Sequence, residues 1–253
     1  MSEDLFKGVE QKEFELSNHQ KLVLPLFYFD NTSLIATFTA STNKVQNFLP
    51  HPEMRLIELF PGRCLITFMA FEYRKTDIAP YNEFAIVMPI SFRKAQIPVV
   101  TIGSQILRRS LSCYIWHLPV TTEIARIGGV EVYGYPKFIA DIDFHREPGR
   151  VRCVLAEKGK NILSLSGNVL TTELGKRQEY ITYSIKDGTP LRTEVLVNPI
   201  EFSQSINRDA AELEIGTEHP ISQELKSIGL GEKPILYQYC PVGESILFEP
   251  QNM

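Results

Sequence analysis

The chain has 253 residues, 43% of them hydrophobic and 22% charged, with a formal net charge of −4. This is the composition of an ordinary globular protein, and the acidic balance excludes the basic surface that nucleic-acid-binding proteins use. No apolar stretch approaches the roughly 20 residues of a membrane span, so we expect neither nucleic acid nor a membrane among the partners.

The first half of the chain has the pattern of short strands, rich in β-branched and aromatic residues and separated by turn signals. Pro61-Gly62 is a typical turn between two of them. Some runs, such as FAIVMPI, are apolar on both faces, as strands deep in a sandwich or a barrel are. The predicted strands of this half are Lys21–Phe29, Ser33–Thr39, Met54–Phe60, Arg63–Phe71, Glu83–Phe92, Ile97–Ile102 and Leu111–Val120.

The second half has the pattern of hairpins. Arg150–Glu157 and Asn161–Ser166 flank a Lys-Gly-Lys tip, and Glu179–Ile185 and Leu191–Val197 flank Asp187-Gly188. An Asp-Gly pair between two strand-like runs is a strong signal of a hairpin turn. These four segments therefore predict two antiparallel pairs.

Three segments have helical signals. Ser41–Leu49 begins with a capping residue, Thr121–Ile127 has a threonine cap and Gly128-Gly129 as its stop, and Ile221–Ile228 ends before a glycine. No repeat or Ser/Gly linker divides the chain, so we expect one domain over residues 1–253. The predicted fold is α+β, mainly antiparallel β with a few peripheral helices. The residue pattern leaves a sandwich and a barrel both open.

Metal-binding and disulfide chemistry are not indicated. The cysteines Cys64, Cys113, Cys153 and Cys240 lie far apart without a C-x-x-C pair, and the five histidines are equally dispersed. This spacing predicts reduced, mostly buried thiols and no zinc site. Because the charged N-terminal segment lacks the apolar core of a signal peptide, we expect a cytoplasmic protein.

One segment, GVEVYGYPKFIA at 129–140, has an unusual lysine. Pro136 fixes its own φ and pushes Tyr135 towards an extended backbone, so the chain around Lys137 is expected to be stiff. An amine held among aromatic and aliphatic groups loses solvation of its charged form, and this favours the neutral form. Only a neutral amine attacks a carbonyl carbon. The pattern is also compatible with a surface lysine that opens the strand FIADIDF.

Two linked blocks resemble the acetoacetate decarboxylase family. PYNEFAIVMPISF (80–92) has a Y-x-E step and a strand ending in P-[IV]-S-F, and EIARIGGVEVYGYPK (123–137) has G-x-E followed by Y-P-K. Order and spacing both match. The resemblance implies a β-barrel or a cone-like curved sheet, and a lyase whose lysine forms a Schiff base with a small carbonyl substrate. It also implies a homo-oligomer and chemistry that requires no metal or organic cofactor.

The resemblance assigns roles by position. Lys137 matches the Schiff-base lysine, and Glu83 matches an active-site glutamate that would transfer protons. Glu131 matches the glutamate of the G-x-E step, for which a structural ion pair and a place in the site are both open. The predicted pocket residues are Glu131, Tyr135, Phe138 and Tyr81.

Three positions depart from the family pattern. Phe138 follows Lys137 where a second lysine is usual, Asn31 falls near the place of a family arginine, and Thr67 or Phe68 replaces an acidic residue. Those family groups are expected to handle a substrate carboxylate and carbon–carbon cleavage. We predict decarboxylation of a β-keto acid such as acetoacetate. The alternatives are a Schiff-base aldolase or dehydratase and a non-catalytic binder of small molecules.

Overall fold

Antiparallel strands make up most of the protein in the computed structural model, which describes residues 4–93 and 110–253. The strands are β1 (Lys12–Glu15), β2 (Lys21–Leu24), β3 (Leu26–Ser41), β4 (Met54–Leu56), β5 (Glu58–Phe60), β6 (Arg63–Thr76), β7 (Tyr81–Phe92), β8 (Ser110–His117), β9 (Asp141–Glu147), β10 (Arg150–Glu157), β11 (Lys160–Asn168), β12 (Gln178–Lys186), β13 (Thr189–Ser205), β14 (Ala211–Ile215), β15 (Leu236–Leu247) and β16 (Gln251–Asn252).

Seven of these strands close into a barrel. The order around the barrel is β6, β7, β8, β12, β13, β15 and β3, and β3 pairs back with β6. Neighbouring strands are antiparallel except β8 and β12, which are parallel. Closure leaves the barrel without free edges. Of the two architectures left open by the residue pattern, the structure therefore has the barrel.

A second, four-stranded sheet packs on the barrel in the order β14, β11, β10, β9. Phe84, Ile86 and Met88 of β7 belong to a buried cluster that also contains residues of this sheet. Ala85 and Val87 belong to the cluster around the barrel interior. Because successive side chains of a strand point to opposite faces, β7 is buried on both sides. The doubly apolar run FAIVMPI is explained by this position.

Three helices are present in the described residues: α1 (Thr42–Val45), followed by a 3-10 turn over Gln46–Phe48, α2 (Glu123–Tyr133) and α3 (Pro220–Ser227). None of them is long and apolar enough to cross a membrane. The helix predicted over Ile221–Ile228 is confirmed as α3. The predicted stop of α2 at Gly128-Gly129 is wrong.

Helix α2 continues through both glycines and ends at Gly134, whose φ is 60°. The backbone N–H of Gly134 donates to the carbonyl of Val130, and that of Tyr135 donates to Gly129. A left-handed glycine with such hydrogen bonds is the usual end of a helix. The sequence has two glycine signals in succession, and the second one ends the helix.

Most predicted strands lie where the pattern put them, and both hairpins of the second half form. The segments predicted as Lys21–Phe29 and Ser33–Thr39 instead divide at Pro25 and continue as one long strand, β3. The pairing of β3 with β6 shifts register around Asp30, so the polar residues there form a bulge within the strand rather than a turn. The predicted strand Ile97–Ile102 lies outside the described residues.

Candidate active site

The barrel encloses a cavity of about 130 Å³. All seven barrel strands contribute lining side chains, at alternating positions such as Glu83, Ala85 and Val87 of β7. Tyr135 and Lys137 reach the cavity from the segment after α2. Most lining residues are aliphatic or aromatic. Cavities with apolar walls and a few convergent polar groups are the usual sites for small molecules.

Lys137 and Glu83 form a buried ion pair at the wall of this cavity. The Lys137 Nζ donates a hydrogen bond to Glu83 Oε2 over 2.7 Å, and the two side chains are only 5% and 10% exposed. Taking two charges out of water is costly unless they pair closely and hydrogen bond. Such a pair inside a cavity is a candidate reactive centre, and it joins two residues that are 54 positions apart.

The main chain fixes both members of the pair through Val120. Val120 forms a β-bridge with Glu83 on one side and with Ile139 on the other. Its N–H donates to the carbonyl of Phe138 over 2.9 Å. The segment that carries Lys137 is thereby held beside the strand that carries Glu83.

Gly129 of α2 makes room for the lysine. A Cβ on Gly129 would lie 2.6 Å from Cε of Lys137 and closer still to its Cδ. A glycine inside a helix costs about 1 kcal/mol relative to alanine, and a close approach of another group is a common reason to keep one. The lysine stem therefore reaches Glu83 across the bare backbone of α2.

Tyr73 is a residue of this site that the sequence interpretation missed. Its hydroxyl donates to Glu83 Oε1 over a long 3.5 Å, and it lines the cavity. Burial, with the nearby Glu83 carboxylate as a second cause, raises the pKa of Tyr73 well above its usual range. The phenol therefore stays protonated and can only donate to the carboxylate. Its position on β6, diagonally across from Glu83 on the neighbouring strand β7, depends on strand pairing, which no local pattern shows.

The model of the acetoacetate decarboxylase family matches residues 15–239. This chain belongs to the acetoacetate decarboxylase family. Membership places it among enzymes of the decarboxylase-like kind. A comparison with curated proteins gives no significant match.

Several solved structures share this fold. Acetoacetate decarboxylase from Legionella pneumophila has a TM-score of 0.63 and 13% identity, over 90% of this chain and 87% of that one. The enduracididine biosynthesis enzyme MppR has a TM-score of 0.62 and 13% identity, over 90% and 88%. An acetoacetate decarboxylase-like enzyme from Sphingomonas wittichii RW1 has 0.52 and 17%, over 90% and 93%. At these identities the likeness shows the fold alone.

Two of the predicted pocket residues, Tyr135 and Tyr81, lie beside the lysine, in the cavity and in a small adjoining pocket respectively. Tyr135 lines the cavity, where its hydroxyl is 2.6 Å from Thr182 Oγ1. Tyr81 lines a small adjoining pocket together with Lys137, whose Nζ is 5.7 Å from the centre of the Tyr81 ring. Its hydroxyl is 3.2 Å from that of Tyr28. Both tyrosines thus lie next to the lysine.

Glu131 and Phe138 are not among the described residues that line the cavity, so the structure corrects their prediction as pocket residues. The Glu131 carboxylate accepts hydrogen bonds from the backbone N–H and the hydroxyl of Ser17. Residues 129 and 131 of a helix point about 200° apart, so Gly129 facing the lysine turns Glu131 away. Phe138 follows Lys137 in an extended segment and packs against the cluster outside the barrel.

The departures from the family pattern leave the cavity with few charges. Among the described residues that line it, Lys137 and Glu83 are the charged ones. Asn31 lines the cavity and donates to the carbonyl of Gly243 over 2.9 Å. Thr67 is hydrogen bonded to Thr37. The side chains at the positions where the resemblance led us to expect an arginine and a further acid are therefore neutral.

Proposed function

We propose that the chain is a Schiff-base lyase in which Lys137 forms an imine with a carbonyl substrate inside the barrel. One observation carries this proposal: the amine of Lys137 is buried at the cavity wall, 2.7 Å from a carboxylate oxygen of Glu83. A nucleophile next to a proton acceptor is the arrangement that covalent catalysis needs.

The pair can produce a reactive amine without changing its net charge. Transfer of one proton from Nζ of Lys137 to Oε2 of Glu83 converts an ammonium and a carboxylate into an amine and a carboxylic acid. Both forms are neutral overall, so the transfer brings no uncompensated charge into the apolar wall. The same step supplies the nucleophile and the acid that the reaction uses next.

Imine formation then follows in balanced steps. The Lys137 amine attacks the carbonyl carbon, a C–N bond forms, and a proton moves from nitrogen to the former carbonyl oxygen through Glu83. The resulting carbinolamine loses its hydroxyl as water when Glu83 donates its proton. The product is a protonated imine beside a carboxylate, which restores the charge pattern of the resting pair.

The protonated imine accepts the electron pair of a neighbouring bond. In a β-keto acid the bond to the carboxylate breaks and carbon dioxide leaves, whereas in a β-hydroxy carbonyl compound the bond to the hydroxyl-bearing carbon breaks and Glu83 takes the hydroxyl proton. Both routes leave an enamine, which is protonated on carbon and hydrolysed. MppR, which shares the fold, is known in complexes with pyruvate and with the condensation product of pyruvate and imidazole 4-carboxaldehyde. Carbonyl compounds are therefore the first class to test.

Reductive trapping tests the proposal. Wild-type protein, Lys137→Met and Glu83→Gln are incubated with a panel of ketones, aldehydes and keto acids and reduced with borohydride. We expect an adduct on Lys137 in the wild type, none at that position in Lys137→Met, and labelling about 10²-fold slower in Glu83→Gln. Absence of an adduct with every compound would leave a non-catalytic binder as the better interpretation.

A further inference from the structure

We infer that the substrate is an uncharged aldehyde or ketone with an apolar or aromatic body and no carboxylate. The inference rests on the Schiff-base function proposed above and adds the substrate class. It is carried by the charges and hydrogen bonds of the cavity wall.

The charged residues of the cavity wall leave no positively charged partner for a substrate carboxylate. Lys137 and Glu83 are the charged lining residues in the described parts of the chain, and they neutralise each other. When Lys137 becomes a protonated imine, its single positive charge still faces Glu83. A substrate carboxylate would be a second negative charge in an apolar enclosure. An unpaired carboxylate removed from water is strongly disfavoured.

Two arginines on the barrel strands, Arg74 and Arg192, point away from the cavity. Arg74 follows the lining residue Tyr73 on β6, and its guanidinium pairs with Asp30 on the outside. On β13, Arg192 donates to Glu194 over 2.7 Å, while residues 195 and 197 of that strand line the cavity. Alternation along a strand fixes this division. Each of these guanidiniums already has a carboxylate partner.

The neutral polar groups of the wall are largely engaged with one another. Asn31 donates to the carbonyl of Gly243, and the Tyr135 hydroxyl is paired with Thr182. The Tyr180 hydroxyl donates to Gln178 over 2.7 Å. A substrate rich in polar groups would give up hydrogen bonds to water and find few replacements. A mostly apolar body fits these walls better.

An uncharged substrate also selects the reaction. Without a carboxylate, the carbon–carbon bond that can break beside the imine is the one to a hydroxyl-bearing carbon. Its electron pair moves into the imine to form an enamine, the hydroxyl proton goes to Glu83, and an aldehyde leaves. Glu83 then protonates the enamine carbon, and water hydrolyses the imine to free Lys137. This is a retro-aldol cleavage, and its reverse is an aldol addition.

A matched pair of probes tests the inference. Methyl 4-formylbenzoate and 4-formylbenzoate differ in the carboxylate, and each is incubated with the full chain and cyanoborohydride. The rate of adduct formation on Lys137 is measured by intact mass and peptide mapping. Each rate is divided by the rate of the same aldehyde with Nα-acetyllysine, because this ratio corrects for the intrinsic reactivity of the aldehyde. We expect the ester to label Lys137 at least tenfold faster than the acid.

A positive charge introduced into the cavity wall provides a second test. Ser245 lines the cavity and is small. Ser245→Arg is expected to raise labelling by the acid severalfold over Ser245→Met, which adds comparable length without charge. Folding of both variants is checked by thermal unfolding, and the wild-type ratio alone decides the matter if either fails to fold.

The outcomes separate the two proposals. Equal labelling of Lys137 by the ester and the acid, or faster labelling by the acid, would overturn the substrate inference and leave the Schiff-base function standing. Labelling of Lys137 by neither probe, when other compounds of the carbonyl panel also give no adduct, would overturn both.

Discussion

The stem of Lys137 crosses helix α2 directly over Gly129, where a Cβ would lie 2.6 Å from the lysine Cε. The Gly129→Ala variant should therefore push the amine out of line with Glu83. We expect the rate of reductive labelling at Lys137 to fall at least tenfold, and the free energy of unfolding to fall by about 1–3 kcal/mol because of overpacking.

Gly128→Ala is the matched control for this change. It alters helix propensity in the same way, but its Cβ would meet the flexible end of Leu22 at 3.0 Å rather than the lysine. We expect labelling to stay close to that of the wild type. Labelling of Gly129→Ala at the wild-type rate would show that the glycine has no part in positioning the amine.

The buried pair should show strong thermodynamic coupling. Removing one member of a buried ion pair leaves an uncompensated charge and costs about 3–5 kcal/mol, so Glu83→Gln and Lys137→Met are each expected to destabilise the protein. The double variant should lose less free energy of unfolding than the sum of the losses in the two single variants. Urea unfolding of the four proteins of this cycle measures the coupling. Additive losses would mean that the two groups do not interact in solution.

Tyr73→Phe should affect chemistry more than stability. The long hydrogen bond from Tyr73 to Glu83 contributes about 0.5–1.5 kcal/mol to stability at most. The substitution nevertheless removes the only phenol that is described as a donor to Glu83 Oε1. We expect labelling at Lys137 to slow severalfold. Tyr81→Phe is the control, because the Tyr81 hydroxyl pairs with Tyr28 instead. Equal effects of the two variants would argue against a specific contact of Tyr73 with the carboxylate.

Stability should decline in alkali. Burial raises the pKa of Cys113 to about 12 and that of Cys240 to about 12, from 9.0, and raises the pKa of Tyr73 and Tyr81 well above 10.0. Well below pH 9 these groups are neutral in both the folded and the unfolded protein. At higher pH they lose protons more readily in the unfolded protein. The free energy of unfolding therefore falls as pH rises from about 9, by up to about 1.4 kcal/mol per pH unit for each group. Urea unfolding between pH 8 and 11 measures this decline, and a flat profile would contradict the burial of these side chains.

Glu131→Gln should leave the site unchanged. The carboxylate lies on the outer side of α2, where the hydrogen bonds from the Ser17 hydroxyl and backbone lower its pKa. Its contribution to stability is therefore present above its ordinary pKa of about 4.5 and is lost as pH falls below that value. Labelling of Lys137 at neutral pH is the measurement, and a large loss in this variant would restore Glu131 to the active site.

The sequence predicts where the strands of this protein lie better than it predicts which strands pair with each other. The run FAIVMPI and the Asp187-Gly188 pair are local signals, and both correspond to elements of the structure. Closure of the barrel through β6 with β7, and the parallel pair β8–β12, depend on contacts between distant segments. Such pairings cannot be read from periodicity. The family resemblance supplied the barrel, and it also brought Lys137 and Glu83 together.

Glu131 is predicted as a pocket residue because it matches the G-x-E step of the family pattern, and a structural role is left open beside that prediction. The pattern does not show that the helix continues past Gly128-Gly129. The helix instead runs to Tyr133, which turns residue 131 outward. Glycines can end a helix or admit a neighbouring side chain, and only the lysine packed against Gly129 distinguishes the two.

A crystal structure of the protein after borohydride reduction with methyl 4-formylbenzoate would show which lysine has reacted and where it lies. We expect continuous density from Nζ of Lys137 to the former carbonyl carbon, inside the barrel and within hydrogen-bond distance of Glu83. An unmodified Lys137, still paired with Glu83 while the adduct is carried by surface lysines, would contradict this expectation.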